Sequence, residues 1–122
     1  MMEIYKVTTD FVAALNTVTS NVFPMLAPQG TSLPFITYEH TGFTPQGSKD
    51  CEYEVTITYN IHIVTKSYND GLQYVDAVRA ALYGITSQYH YTYEYEIISA
   101  SEVAYDDGYE QTMVVSLTAS KQ

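Results

Sequence analysis

Residues 52–65 read EYEVTITYNIHIVT and carry the clearest structural signal in the chain. Tyrosine, valine and isoleucine occupy the odd positions from Tyr53 to Ile63, whereas polar residues occupy the even positions from Glu52 to His62. Because successive side chains of a β-strand point to opposite faces, this alternation predicts a long strand with one buried face.

Two more strands are predicted near the C-terminus, at 94–105 and 110–119. Asp107-Gly108 lies between them and is a hairpin signal, since a type I′ turn needs positive φ at both central residues. We therefore expect these two strands to be antiparallel neighbours.

Two helices are predicted from apolar residues spaced three or four apart. The first runs from Ile4 towards Val18 and is expected to be broken, with its firmer part at 10–18, because threonines at 8 and 9 are poor in a helix interior. The second is expected at 69–83, where Ser67 and Asp70 resemble a capping box.

Residues 23–34 contain three of the four prolines and predict an extended connection, since proline fixes φ and lacks a backbone donor. A β-rich pattern then predicts a strand at 34–42, and turn residues predict a loop at 43–51. The element order becomes helix, strand, strand, helix, strand, strand. This order indicates one α+β domain over residues 1–122, with an antiparallel sheet of about four main strands and both helices on one face.

Composition excludes several classes of function. The 122 residues include 5 Lys and Arg against 14 Asp and Glu, a formal charge of −9, which argues against a protein that grips nucleic acid by its phosphates. A single cysteine cannot form an internal disulfide. No run approaches the roughly 20 apolar residues of a membrane span, and residues 1–6 do not resemble a secretory signal.

Catalytic and metal-binding patterns are weak, and we expect no catalytic residues, no metal and no cofactor. Cys51 lies between acidic neighbours that would blunt a thiol. His40 and His62 could face one another on neighbouring strands, but neither belongs to a zinc-ligand spacing, and surface histidines are the simpler interpretation. Asp106, Asp107 and Glu110 echo a calcium loop, although a hairpin turn explains them better.

Acidic and aromatic pairs invite two further interpretations. Glu52 with Glu54, and Glu94 with Glu96, should each share one strand face, where a solvated surface is a simpler explanation than a glycosidase pair. Four tyrosines at alternate positions from 89 to 95 could form a protein interface, stack a ligand or fill the core.

Several segments taken together resemble a known family. They are Val22-Phe23-Pro24, the stretch APQGTSLPFITY at 27–38, the helix VDAVRAAL at 75–82, the long strand after the loop, and Tyr105-Asp106-Asp107-Gly108-Tyr109. In this order they resemble the tail-completion, or tail-terminator-like, proteins of tailed phages and prophages, over nearly the whole chain.

The resemblance implies a structural, non-enzymatic α+β subunit of the virion tail or neck, assembled in the bacterial host cytoplasm. Such a subunit forms a homo-oligomeric ring, commonly of six copies, that caps the tail tube and meets the head-side connector. If DNA threads the ring, carboxylates facing its channel would repel phosphates. No sequence-specific nucleic-acid binding and no membrane partner are expected.

We expect the 43–51 loop to form one subunit interface, through Phe43, Pro45, Gln46 and Gly47. The alternative for Phe43 is that it folds back onto its own sheet. The alternative for the whole chain is a monomeric binding module that recognises a peptide or carbohydrate through its tyrosine-rich face.

Overall fold

Seven elements are present in the computed structural model, which describes residues 2–48 and 51–121. They are α1 (Ile4–Asn16), β1 (Val22–Pro24), β2 (Phe35–Ser48), β3 (Cys51–Thr65), α2 (Tyr68–Tyr83), β4 (Tyr91–Tyr105) and β5 (Gly108–Lys121). The α+β class and the order of the six predicted elements are confirmed, and β1 is an addition.

The strands form one sheet in the order β1-β2-β3-β5-β4. β1 pairs with β2 in parallel, and every other pair is antiparallel, so the sheet is mixed and has five strands rather than four. Three residues ending in a proline give no strand pattern, which explains why β1 was not predicted. Pro24 is tolerated because β1 lies at the sheet edge, where no outer neighbour needs its missing N–H.

The core lies between the helices and the odd-numbered face of β3. Ile57, Ile61 and Ile63 are fully buried there. Phe11 of α1 stacks on Tyr59, with ring centroids 3.9 Å apart and planes 8° from parallel. The strand predicted from residues 52–65 is therefore the centre of the fold.

Helix α1 begins at Ile4 and is unbroken, so the predicted break at the two threonines is wrong. The Thr8 hydroxyl lies 2.8 Å from the Tyr59 hydroxyl, and the Thr9 hydroxyl donates to the carbonyl of Tyr5. Burial of Val7 and Phe11 outweighs the low helix propensity of threonine. In α2 the predicted cap is confirmed, because Ser67 Oγ accepts a hydrogen bond from the Asp70 N–H at 3.1 Å.

The segment predicted as a loop at 43–51 is largely strand. β2 continues to Ser48, β3 begins at Cys51, and residues 49 and 50 lie outside the described residues. A register shift between Gln46 and Gly47 changes the side of the sheet to which neighbouring side chains of β3 point. As a result Glu52 bonds the Met2 N–H on the helix side while Glu54 bonds Ser120 on the other, so the predicted shared face of this glutamate pair is wrong.

The hairpin between β4 and β5 is confirmed, but its predicted turn type is wrong. Tyr105 pairs with Gly108, so Asp106 and Asp107 form the turn, and neither has positive φ. Glycine is required at position 108 for a steric reason instead. A Cβ there would lie 2.7 Å from the carbonyl oxygen of Thr65, closer than van der Waals contact allows.

Candidate assembly surfaces

The sheet has one face that neither helix covers. Both helices bury the face bearing Ile57 and Tyr59, and the opposite face presents mainly threonine, serine and acidic side chains. On its two central strands these side chains are half-buried by their neighbours, and Thr56 and Thr118 bond across the strands at 2.9 Å. We call this the polar face.

The polar face is acidic. Register and side-chain contacts put five carboxylates on it, from Glu39, Glu54, Glu94, Glu96 and Glu110. The pairing also confirms that the glutamates at 94 and 96 share a face. No lysine or arginine projects from this face of the described strands, so phosphate groups would meet net negative charge.

His62 is the one histidine on the described strands of this face, and it bridges two acids. Its Nε2 lies 3.1 Å from Glu39, and its Nδ1 lies 3.2 Å from Glu110 and 3.2 Å from Thr112. Burial lowers the pKa of His62, but hydrogen bonds and charge from the two glutamates raise it more, so the net shift is upward. The two carboxylates therefore stabilise the protonated form of His62 by more than burial destabilises it.

His40 does not join this cluster, so its predicted position facing His62 is wrong. Thr37 pairs with His62, whereas His40 pairs with Tyr59 and lies on the other side of the sheet. The register shift in β2 lies after His40, so it does not change the relative orientation of Thr37 and His40. No group of three histidine, cysteine or acidic residues that could hold a metal occurs among residues 2–48 and 51–121.

An apolar groove of about 500 Å³ lies at the far end of β2, on the helix side. Six apolar or aromatic residues line it, with Glu3 and Glu52 beside them: Met2, Ile4, Tyr5, Phe43, Pro45 and Val55. Phe43 is 53% exposed, so it covers little of the core and leaves its ring available. We call this site the apolar groove.

The four predicted interface residues do not share one surface. Phe43 and Pro45 both line the apolar groove. Gln46 pairs with Glu54 on the polar-face side, and Gly47 follows the register shift with φ 155°. A Cβ on Gly47 would clash with the Cys51 carbonyl oxygen, so the pairing of β2 with β3 requires glycine here, and its role at an interface stays a prediction.

Sequence reasoning did not find the other wall of this groove. Met2, Ile4 and Tyr5 come from the start of the chain, about forty residues before Phe43, and no local pattern joins them. Met2 just before α1, and Ile4 and Tyr5 in its first turn, are a signal in retrospect, because apolar side chains on a helix usually face a surface that covers them.

Both sheet margins are exposed over long stretches. No described strand pairs with the outer edge of β4, and its residues from 98 to 105 are all exposed, including Ile98 and Val103. On the other margin β1 covers β2 only at residues 36–38. Unpaired edges of this length can hydrogen-bond to another chain.

The tyrosines of β4 belong mainly to the fold. Tyr91, Tyr93 and Tyr95 are half-buried and pack against the core from the helix side. The Tyr93 hydroxyl donates to buried Asp10 of α1. The core-filling interpretation therefore accounts for these three side chains, and an exposed stacking platform is not formed at these positions.

Cys51 is an exposed free thiol at the start of β3. It belongs to no cluster of histidines and carboxylates among the described residues. None of the described helices combines the length and the apolar character needed to cross a bilayer.

Comparison with known proteins identifies the fold. No protein-family model and no curated protein matches the sequence. The structure is similar to a chain of the solved virion of a native gene transfer agent particle, with a TM-score of 0.66, 12% sequence identity, and coverage of 95% of this chain and 92% of that one. The two chains share their fold over almost their full lengths.

Proposed function

We propose that this chain is a structural subunit of a phage or phage-like particle, without catalytic activity, that forms a ring. In this role it completes the tail and joins it to the connector on the head side. The observation that carries the proposal is the fold shared with a gene transfer agent virion chain over 95% of this chain. The segments that resemble tail-completion proteins support the same role.

The surfaces of the molecule fit a subunit better than a solitary protein. The edges of β2 and β4 and the apolar groove are exposed. In a monomer such surfaces favour aggregation, whereas in an assembly they are covered by neighbouring subunits. Ring formation would cover them on every copy, since a heterologous interface joins different surfaces of neighbouring subunits.

The polar face fits the wall of a channel. Its strands present polar and acidic side chains that neither helix covers. Carboxylates from Glu54, Glu94 and Glu96 would repel passing DNA phosphates and keep the duplex from adhering. We therefore orient the polar face towards the channel and the helices outwards.

The proposal is tested by deleting the gene in the phage or prophage that encodes the chain. We expect filled heads and separate tails of normal or irregular length by electron microscopy, and restoration of joined particles when the gene is supplied in trans. A supporting measurement is native mass spectrometry of the purified chain, with and without the tail-tube protein, where the ring predicts closed oligomers.

Two results would contradict the proposal. One is a deletion strain that still releases infectious, fully joined particles. The other is failure to detect the chain in purified particles by mass spectrometry, because a structural subunit must be part of the particle.

A further inference from the structure

A second apolar feature lies at the opposite end of β2 from the groove. Met25 and Leu26 follow β1 and are 74% and 82% exposed. They line a depression on the polar-face side together with Phe35 and His62. We call Met25–Leu26 the apolar bend.

The apolar bend is held in place by the backbone. Met25 adopts a positive φ of 63°, which is uncommon for a residue with a side chain. Its N–H donates to the Tyr38 carbonyl at 2.7 Å, and the Leu26 N–H donates to the Pro24 carbonyl at 2.7 Å. Two large apolar side chains are therefore presented to solvent from a fixed backbone, which lowers the entropic cost of docking them.

The bend cannot fill the groove of its own chain. The bend is anchored beside Tyr38, and the groove residues Phe43 and Pro45 lie five and seven residues further along β2, or roughly 15–25 Å at strand spacing. The two features also lie on opposite sides of the sheet. They can meet only between two molecules.

Charge favours a second copy as the occupant. The chain carries −9, so copies repel one another over most of their surfaces. The segment from Phe11 to Tyr38, which carries the bend, contains no charged side chain and no histidine. Glu110 lines the depression beside the bend, and Glu3 and Glu52 line the groove, but the bend itself brings no charge to these carboxylates. Another copy of this acidic chain therefore meets less like-charge repulsion at the bend than at a surface that bears carboxylates.

We propose that the apolar groove of one copy receives the Met25–Leu26 bend of the next copy. The groove, at about 500 Å³, has the size of sites that enclose small ligands and accommodates two side chains of this kind. A contact between two different surfaces is heterologous, so repeating it generates a closed ring or an open filament rather than a two-fold dimer. This inference rests on the proposed ring and names the contact that builds it.

Cysteine cross-linking of the full chain tests the contact. All variants carry Cys51→Ser. One double variant combines Leu26→Cys and Phe43→Cys in the same chain, and two single variants carry one of these substitutions each. All three are oxidised mildly and compared by non-reducing electrophoresis. The double variant should give a ladder that extends beyond the dimer. An equal mixture of the two single variants should stop at the dimer, because each copy then offers one half of the contact.

The matched control is Leu26→Cys with Tyr83→Cys, since Tyr83 is 83% exposed on α2 and outside the groove. A ladder from the control as strong as that from the test pair overturns the inference, and so does efficient dimer formation by either single variant. Absence of a ladder from the test pair also overturns it.

The proposed function is judged separately by the solution mass of the unmodified chain and by the gene deletion. If the unmodified chain forms closed oligomers and the test pair gives no ladder, the ring stands and another surface builds it. If the deletion strain makes normal particles, the proposed function fails whatever the ladder shows.

Discussion

The carboxylate of Asp10 in α1 accepts a hydrogen bond from the Tyr93 hydroxyl of β4, across 83 residues of sequence. Asp10 is 3% exposed, and its other oxygen accepts from the Gln88 N–H at 3.3 Å. The pair ties the first helix to the edge strand of the sheet. A buried carboxylate is stable only while such donors satisfy it.

Tyr93→Phe should therefore destabilise the chain by about 1–3 kcal/mol, because the mutation removes a donor from a buried charged acceptor. Urea unfolding followed by circular dichroism measures the change. Tyr95→Phe is the matched control, since Tyr95 packs on the same side without a hydroxyl hydrogen bond in the described residues. Equal losses from the two variants would contradict this role for Asp10.

The same pair predicts a loss of stability in alkali. Burial, and then the Asp10 carboxylate, raise the pKa of Tyr93, whereas an unfolded tyrosine titrates near pH ~10. A raised folded pKa stabilises the protein fully below the unfolded value, and this contribution is lost as pH rises above it. The free energy of unfolding, measured as pH rises above about 10, should fall less steeply in Tyr93→Phe than in the wild type.

His62 predicts a second dependence on pH, closer to neutrality. Its pKa is raised by Glu39 and Glu110 against the opposing effect of burial. The contribution to stability is complete below the unfolded value of about 6.5 and is lost as pH rises through the higher folded pKa. His62→Gln should flatten this fall, as measured by urea unfolding over several pH values.

His40→Gln is the control for that experiment, because His40 is exposed and lies on the opposite side of the sheet. It should retain the slope of the wild type. If both glutamine variants flatten the slope equally, the bridge between the two carboxylates is not its source.

How far the fold follows from sequence depends on the range of the interactions. Alternation over residues 52–65 predicted β3, since the signal and the structure are both local. Thr8 and Thr9 argued against a continuous helix. α1 is nevertheless continuous, because it packs against the core and contacts Tyr59, which is distant in sequence. Local propensity was overruled by tertiary packing.

The surfaces were harder to predict for the same reason. Phe43 and Pro45 were singled out as apolar residues among polar ones, and both line the groove. The opposite wall comes from Met2 and Ile4, and the bend at 25–26 is held by a backbone hydrogen bond from Met25 to Tyr38 of β2. Neither has a local sequence signature, because each depends on which strand the segment reaches.

Glycine at 108 yields a prediction about packing of the hairpin. Gly108→Ala should cost about 1–3 kcal/mol, because its Cβ would lie 2.7 Å from the Thr65 carbonyl oxygen and the backbone must shift. Gly42→Ala is the control, since a Cβ there meets nothing within 4 Å and its φ is not positive. Thermal unfolding of the two variants should separate them clearly, and a smaller loss for Gly108→Ala would contradict the close approach.

The polar face gives the prediction that bears most directly on the channel. Replacing Glu54, Glu94 and Glu96 together by lysine would convert an acidic wall into a basic one. The assembled variant should then bind duplex DNA at physiological salt, and log affinity should fall linearly with log salt as counterions are released. The wild-type assembly should show no binding in the same fluorescence-anisotropy titration.

The control separates the location of charge from its amount. Replacing Asp76, Asp106 and Asp107 by lysine changes the net charge equally. Asp76 is exposed on α2, and Asp106 and Asp107 are exposed at the β4–β5 turn, so none of the three lies on the polar face. If the polar face lines the channel, the first triple variant should retain DNA inside the ring, with slow dissociation and protection of the enclosed duplex from nuclease. The second should bind from outside, dissociate quickly and leave the duplex open to cleavage. Nuclease protection by both variants, or by neither, would be inconsistent with a channel lined by this face.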